Sequence, residues 1–336
     1  MNKNIWIIII FSIILIAIVA LFFLFAQKKE PSPDHLSDTK PVVAATIFPL
    51  YDIVRDVAGE HATVELLLPP GASPHFFEFS PRQLDALQKT QKAFVIGHGI
   101  DDWANDAFDA LNVQTITVDH NISLRDADAH HDHGEEDEYE EGEHEEDEHE
   151  HEEGEHEEHE EDEHEHGDVD PHYWLDPTNA IIITQTVANT LAELDPSHAD
   201  DYKQNAATYI SDLSQTDTVL QERLTTLPHK EIITIHAAWG YFADHFGLTI
   251  AGTFMPQAGE EPSPQYLEAL EKAAKESSGG VIFSEPQLAT DALKAFAESH
   301  DLKIAIIDPI GGVQGRDTYR DLMVYNIDTI INALMP

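Results

Sequence analysis

The sequence contains no cysteine. That excludes disulfides, thiolate metal sites and lipid attachment through an N-terminal cysteine, so any metal must be held by His, Asp and Glu. Basic side chains are also scarce: 18 Lys and Arg stand against 64 Asp and Glu, a formal net charge of −46. Much of the excess is local, since residues 126–168 hold 26 acidic residues and no Lys or Arg, yet the remainder still sets 38 acids against 18 bases. Such a chain repels phosphate backbones and offers no basic stripe, which excludes nucleic acid and favours cations as partners.

At 336 residues and 42% hydrophobic content, the chain is long enough for two lobes, each with a core of its own. An uncharged apolar run from Ile5 to Ala26 has about the ~20 residues that a bilayer-spanning helix needs. Its poor small-residue cleavage signal favours an uncleaved anchor over a removed signal peptide. Residues 1–27 are therefore expected to be an anchor or signal segment and 28–40, EPSPDHLSDTKP in the main, a polar linker.

From Val42 the pattern becomes strand-length apolar runs alternating with helical stretches. VVAATI, TVELLL, AFVIG and VQTITV come first, and EIITI, LTIAG, GVIFS and KIAII repeat the alternation later. This predicts an α/β protein of two lobes, each a parallel β-sheet wrapped by helices. The expected boundaries are 41–195 for the first lobe, 196–228 for one long connecting helix that starts at Asp195-Pro196, and 229–336 for the second lobe. The run 126–168, with ten histidines among its acids and almost nothing apolar, reads as a disordered, metal-attracting loop inserted in the first lobe.

In open α/β sheets, ligands bind beyond the carboxyl ends of the strands. Four residues with metal-binding side chains fall there: His75 after TVELLL, His172 in DPHYWLDP, His236 directly after EIITI, and Asp308 directly after KIAII. Two come from each half, which puts their meeting point in the cleft between lobes. Three imidazoles and a carboxylate suit Zn²⁺. Taken singly, each has a plainer role as a turn residue, and their joint placement is what singles them out. His61, His198, His229, His245 and His300 sit on helices or turns, and His98 in IGHGIDDW is a closer case.

The stretches ATIFPLYDIVRDVAG, PPGASPHFFEFSP, GHGIDDW, DPHYWLDP, HAAWGYFADHFGL and DPIGG, in this order, resemble the solute-binding proteins of zinc and manganese ABC importers, most closely the zinc-preferring branch. The resemblance implies two α/β lobes on one long helix with limited closure, and His75, His172 and His236 as zinc ligands with Asp308 as the fourth. Glu285 in FSEPQ matches a segment near the cleft and ranks below Asp308. Manganese-type relatives carry a carboxylate at the third position, so His236 points to zinc. One departure is Phe79, which stands where relatives have proline. The implied function is a monomeric carrier on the extracytoplasmic face of the membrane that captures Zn²⁺ and passes it to an ABC permease, without catalysis. Three alternatives stand beside it: a manganese-type carrier, a zinc hydrolase built on the three histidines, and an extracellular metal buffer or adhesin that uses mainly the loop.

Overall fold

The computed structural model describes residues 40–127 and 169–335, save 256–257, 260–261, 278 and 289–290. The apolar N-terminal segment, the linker up to residue 39 and the acidic, histidine-rich run 128–168 lie outside these residues. Among the described residues no helix is long and apolar enough to cross a membrane.

The first half contributes β1 (Val42–Ala45), β2 (Thr63–Leu66), β3 (Lys92–Val95) and β4 (Gln114–Thr117). The second contributes β5 (Glu231–His236), β6 (Thr249–Met255), β7 (Val281–Ser284) and β8 (Lys303–Ile306). The two sheets repeat one topology, β2-β1-β3-β4 and β6-β5-β7-β8, with every neighbouring pair parallel. The inner strands VVAA, IITIH and VIFS are apolar and buried nearly throughout, because helices cover both faces of a parallel sheet. The edge strands β2, β4 and β8 are more exposed and carry Thr, Glu, Gln and Lys.

Nine helices are seen among the described residues: α1 (Phe48–Ala58), α2 (Pro81–Leu87), α3 (Asn105–Leu111), α4 (Pro177–Leu194), α5 (Ala199–Leu224), α6 (Gly240–Phe246), α7 (Pro264–Glu276), α8 (Asp291–Ser299) and α9 (Tyr319–Leu334). Their starts are written in the chain. Proline occupies the first turn of α1, α2, α4 and α7, where its missing N–H costs nothing. The side chains of Asp176, Ser263 and Thr318 cap α4, α7 and α9.

Helix α5 is the brace. Its 26 residues span about 39 Å at 1.5 Å per residue. Tyr202, Ala206, Leu213, Leu220 and Leu224 recur at intervals of four and seven, which makes one buried stripe. The helix packs on α1 and α4 of the first half and on α9 of the second.

The described residues from Pro41 on form one compact unit, in which the largest apolar cluster draws on both halves and two smaller clusters pack beside it. Directed bonds fix the halves together. The Trp174 Nε1–H donates to the Pro309 carbonyl at 2.9 Å, and the Tyr319 hydroxyl donates to the Trp174 carbonyl at 2.7 Å. The backbone N–H of Tyr319 donates to buried Asp52 on α1 at 2.8 Å. On α6, His245 places Nδ1 at 2.9 Å from Asp176 and Nε2 at 2.7 Å from Asp217 of α5. Burial opposes its charge, but hydrogen bonds from its ring to Asp176 and Asp217, and their charges, prevail and raise the imidazole from 6.5 to about 9.

Candidate metal centre

Each of the three histidines is carried to one spot by a different local device. His75 sits in the 3-10 turn Pro74–Phe76, between β2 and α2, with Pro74 fixing the first position. His172 opens the 3-10 turn Tyr173–Leu175, whose three side chains are at most 1% exposed and anchor the segment in the core. His236 ends β5, which is a central strand, and is itself 3% exposed.

The ring centroids of His75, His172 and His236 lie 5.3–5.4 Å apart. One nitrogen from each lies within 4.8 Å of the other two, and the Nε2 atoms of His75 and His172 are 3.4 Å apart. Among the described residues this is the one group of three or more such side chains so gathered. Burial of the His75 ring and then the proximity of His172 and His236 push its pKa well below the ordinary imidazole value. A neutral imidazole keeps the lone pair that a metal needs.

Two carboxylates sit behind the rings, and one of them, Asp170, hydrogen-bonds its histidine. Asp170 Oδ1 is 2.8 Å from His172 Nδ1 and also accepts the backbone N–H of His172 at 3.0 Å. With Nδ1 as the donor, Nε2 faces the other histidines with its lone pair free. Glu285, which directly follows β7, lies 2.7 Å from His236 Nδ1 and accepts from the Trp239 indole N–H at 2.9 Å. Both ring nitrogens of His236 are buried without an aligned hydrogen bond, Nδ1 included despite the nearby Glu285. An orphaned imidazole nitrogen facing two others is what a cation would satisfy.

Asp308 is not brought into this group. It lies just past β8, 1% exposed, with Oδ2 at 2.9 Å from Arg316 Nη1 and Oδ1 accepting the Ile310 N–H at 2.9 Å. His98 has a positive φ of 56° and lies 2.9 Å from Asp119, away from the three. His61 and His198 stack on each other at 4.1 Å elsewhere on the surface. Phe79, where the resemblance expects proline, is accommodated by stacking on Trp103 at 6.0 Å.

The histidines line a small cavity together with Trp174, Pro309 and Ile310. Its water-accessible volume, about 10 Å³, is that of about one ion or water molecule.

A family model described as zinc-uptake complex component A (ZnuA), periplasmic, matches residues 43–333. The chain belongs to the ZnuA family. Its similarity to individual members is spread over nearly the whole length. It is 27% identical over 339 residues to the zinc-binding protein AdcA of Streptococcus pyogenes serotype M3, covering 95% of this chain and 60% of that protein. The chain thus spans about 60% of the length of the first AdcA relatives it matches. It is 23% identical to the manganese-binding lipoprotein MntA of Halalkalibacterium halodurans, over 85% of each. Among solved structures, a crystal structure of ZnuA superposes with a TM-score of 0.70 at 25% identity, covering 88% of this chain and all of that one. The two-lobed architecture with its parallel sheets is that of the ZnuA family.

The supporting residues were harder to find than the histidines. Asp170 could have been read from DPH, because an Asp two residues ahead commonly accepts a backbone N–H and shapes the turn. Nothing in the sequence points to Arg316 as the partner of Asp308, since a contact across that loop depends on how the chain returns.

Proposed function

We propose that this chain is the extracytoplasmic carrier of an ABC importer, which binds one Zn²⁺ through His75, His172 and His236 and delivers it to a membrane permease. The single observation that carries this reading is the converging trio of imidazole nitrogens, with His172 and His236 buried and His236 unsatisfied. Nitrogen-rich sites favour zinc, whereas manganese favours oxygen. His236, rather than a carboxylate, at the third position therefore supports zinc over a manganese-type carrier. Asp308 is the candidate for the fourth position, which it would take by exchanging Arg316 for the ion.

The same geometry weighs against a hydrolase. Catalysis needs an open coordination position, room for a substrate and a free general base. Here the cavity takes about one small ion, Glu285 is engaged by His236 and Trp239, and Asp308 is engaged by Arg316. Transport without turnover asks for none of the missing parts. The apolar core shared by both halves and the bonds through Trp174 and Tyr319 support limited movement between lobes. Attachment through the N-terminal segment and action as a monomer complete the proposal.

The test is retention of metal by the purified chain against a series of chelators. One Zn²⁺ per chain held more tightly than Mn²⁺ is expected. Equal retention of the two metals, or tighter Mn²⁺, refutes the zinc assignment.

A further inference from the structure

We infer that Tyr241 is a positioning residue of the metal centre: from the second half it grips the residue behind His172 and so fixes His172 in its place relative to His236. The inference rests on the three-histidine reading above and deepens it. Tyr241 lies at the start of α6, 4% exposed, in the same stretch HAAWGY that begins with His236. Its hydroxyl accepts the backbone N–H of Arg125 at 2.7 Å and donates to the backbone carbonyl of Asp170 at 3.2 Å. The Asp170 carboxylate in turn contacts both the backbone N–H of His172 and its ring Nδ1.

His172 is approached by the chain from two unlike sides. After it, Tyr173, Trp174 and Leu175 are buried in the core, whereas before it Pro171 and Asp170 lead back to Val169 and the run 128–168. On that second side the flanks of the run hold each other, through the Asp126–Val169 bridge and the Asp170 N–H donating to the Arg125 carbonyl at 2.9 Å. Both contacts lie within the first half. The tie to the second half comes from α6, where one hydroxyl of Tyr241 bonds both flanks, Arg125 pairs with Asp244, and the guanidinium lies 5.6 Å over the Tyr241 ring.

The same short segment also stands behind His236. The Trp239 indole N–H donates to Glu285 at 2.9 Å, and Glu285 lies 2.7 Å from His236 Nδ1. Trp239 and Tyr241 thus reach the residues behind two ligands that come from different halves, which sets the spacing of those ligands from one piece of backbone. Removing a group that directly backs a metal ligand costs ~10–100-fold in affinity. Tyr241 acts one bond further out, through the Asp170 backbone, so its hydroxyl should be worth less, ~3–10-fold. Its loss also leaves a backbone N–H and a carbonyl without their partner, which lowers stability separately.

The experiment uses the full chain and four variants: Tyr241→Phe, His172→Ala, the two combined, and His75→Ala. Zn²⁺ affinity is measured for each by chelator competition, with folding followed by circular dichroism and urea unfolding. Tyr241→Phe keeps the ring and loses the hydroxyl, and should weaken Zn²⁺ by ~3–10-fold. In the His172→Ala background the same substitution should change Zn²⁺ affinity by less than ~2-fold while still lowering stability, because its effect on the metal passes through His172. A merely structural tyrosine would not show that dependence. A change below ~2-fold in Tyr241→Phe alone, or a loss above ~2-fold with His172 already absent, overturns the inference. If Tyr241→Phe does not fold, the parent chain decides: coupling is reciprocal, so saturating Zn²⁺ should slow hydrogen exchange at the Arg125 amide in the parent and not in His172→Ala. No slowing, or equal slowing in both, overturns the inference. His75→Ala judges the underlying site separately. Tight Zn²⁺ binding that survives it removes the three-histidine reading and this inference with it, whereas weakened binding there beside an unchanged Tyr241→Phe removes this inference alone.

Discussion

At neutral pH His245 is a half-buried cation held between two carboxylates, and replacing it by glutamine should remove a pH-dependent part of the stability. Its ring bridges Asp176, the cap of α4, and Asp217 on α5, and so ties α6 of the second half to the first half and to the brace. Thr178 and Gln221 face the same ring, and Phe246 lies edge-on to it. The imidazole is raised from 6.5 to about 9. A raised pKa means that the folded state binds this proton more tightly than the unfolded state. The contribution is therefore complete below pH 6.5 and declines as pH rises, until it is lost above about pH 9. At 1.36 kcal/mol per pKa unit, the contribution is about 3 kcal/mol, which is large beside a typical total of ~5–15 kcal/mol. The assay is urea unfolding of the parent chain and of His245→Gln from pH 6 to 10, with the difference between the two plotted against pH so that titrations common to both cancel. The difference should be greatest near pH 6 and shrink by about 3 kcal/mol by pH 10. A difference that stays constant across this range would refute the charged clamp.

Three further outcomes are expected. His172→Ala should weaken Zn²⁺ binding by ~10-fold or more in calorimetry, since each 1.4 kcal/mol of lost ligand energy is a factor of ten; unchanged affinity would remove His172 from the site. Deletion of residues 128–168 should cost little in folding, because their flanks already meet: Asp126 pairs with Val169, and the Asp170 N–H donates to the Arg125 carbonyl at 2.9 Å. The deleted chain should lose several weak metal sites in calorimetry and keep its one tight site; loss of the tight site would place it in the run instead. Gly312→Ala should lower stability by ~1–3 kcal/mol in urea unfolding, because the positive φ strains any side chain and the added Cβ would lie 2.8 Å from the Phe48 ring; a neutral effect would show that the DPIGG turn can relax.

The strands were legible because inner strands of a parallel sheet are buried on both faces. VVAA and EIITIH therefore stand out as apolar runs opened by Pro41 and Lys230. The break at Asp195-Pro196 was also readable, and the structure turns there through Pro196–His198 before α5 begins at Ala199 rather than at residue 196. Helix α9 was not singled out, although Leu322, Met323, Ile327, Ile330 and Leu334 fall on one buried face. It follows a glycine-rich loop that draws attention to Asp308 instead. Position beyond the strands singled out His75, His172, His236 and Asp308 alike, and the structure gathers the three histidines but not Asp308. What holds them in place was less legible. That Asp170 sits behind His172, and Glu285 behind His236, depends on side-chain direction; that Arg316 holds Asp308 depends on a turn of three glycines with positive φ.

The central claim is that three imidazoles gather one zinc ion, and zinc-edge X-ray absorption tests it most directly. The chain lacking residues 128–168 would be loaded with one equivalent of Zn²⁺, so that no histidine of the run contributes. The account predicts a first shell dominated by three imidazole nitrogens at ~2.0–2.1 Å, reduced to two in His75→Ala. A shell made mainly of carboxylate or water oxygen, or one left unchanged by His75→Ala, would contradict it.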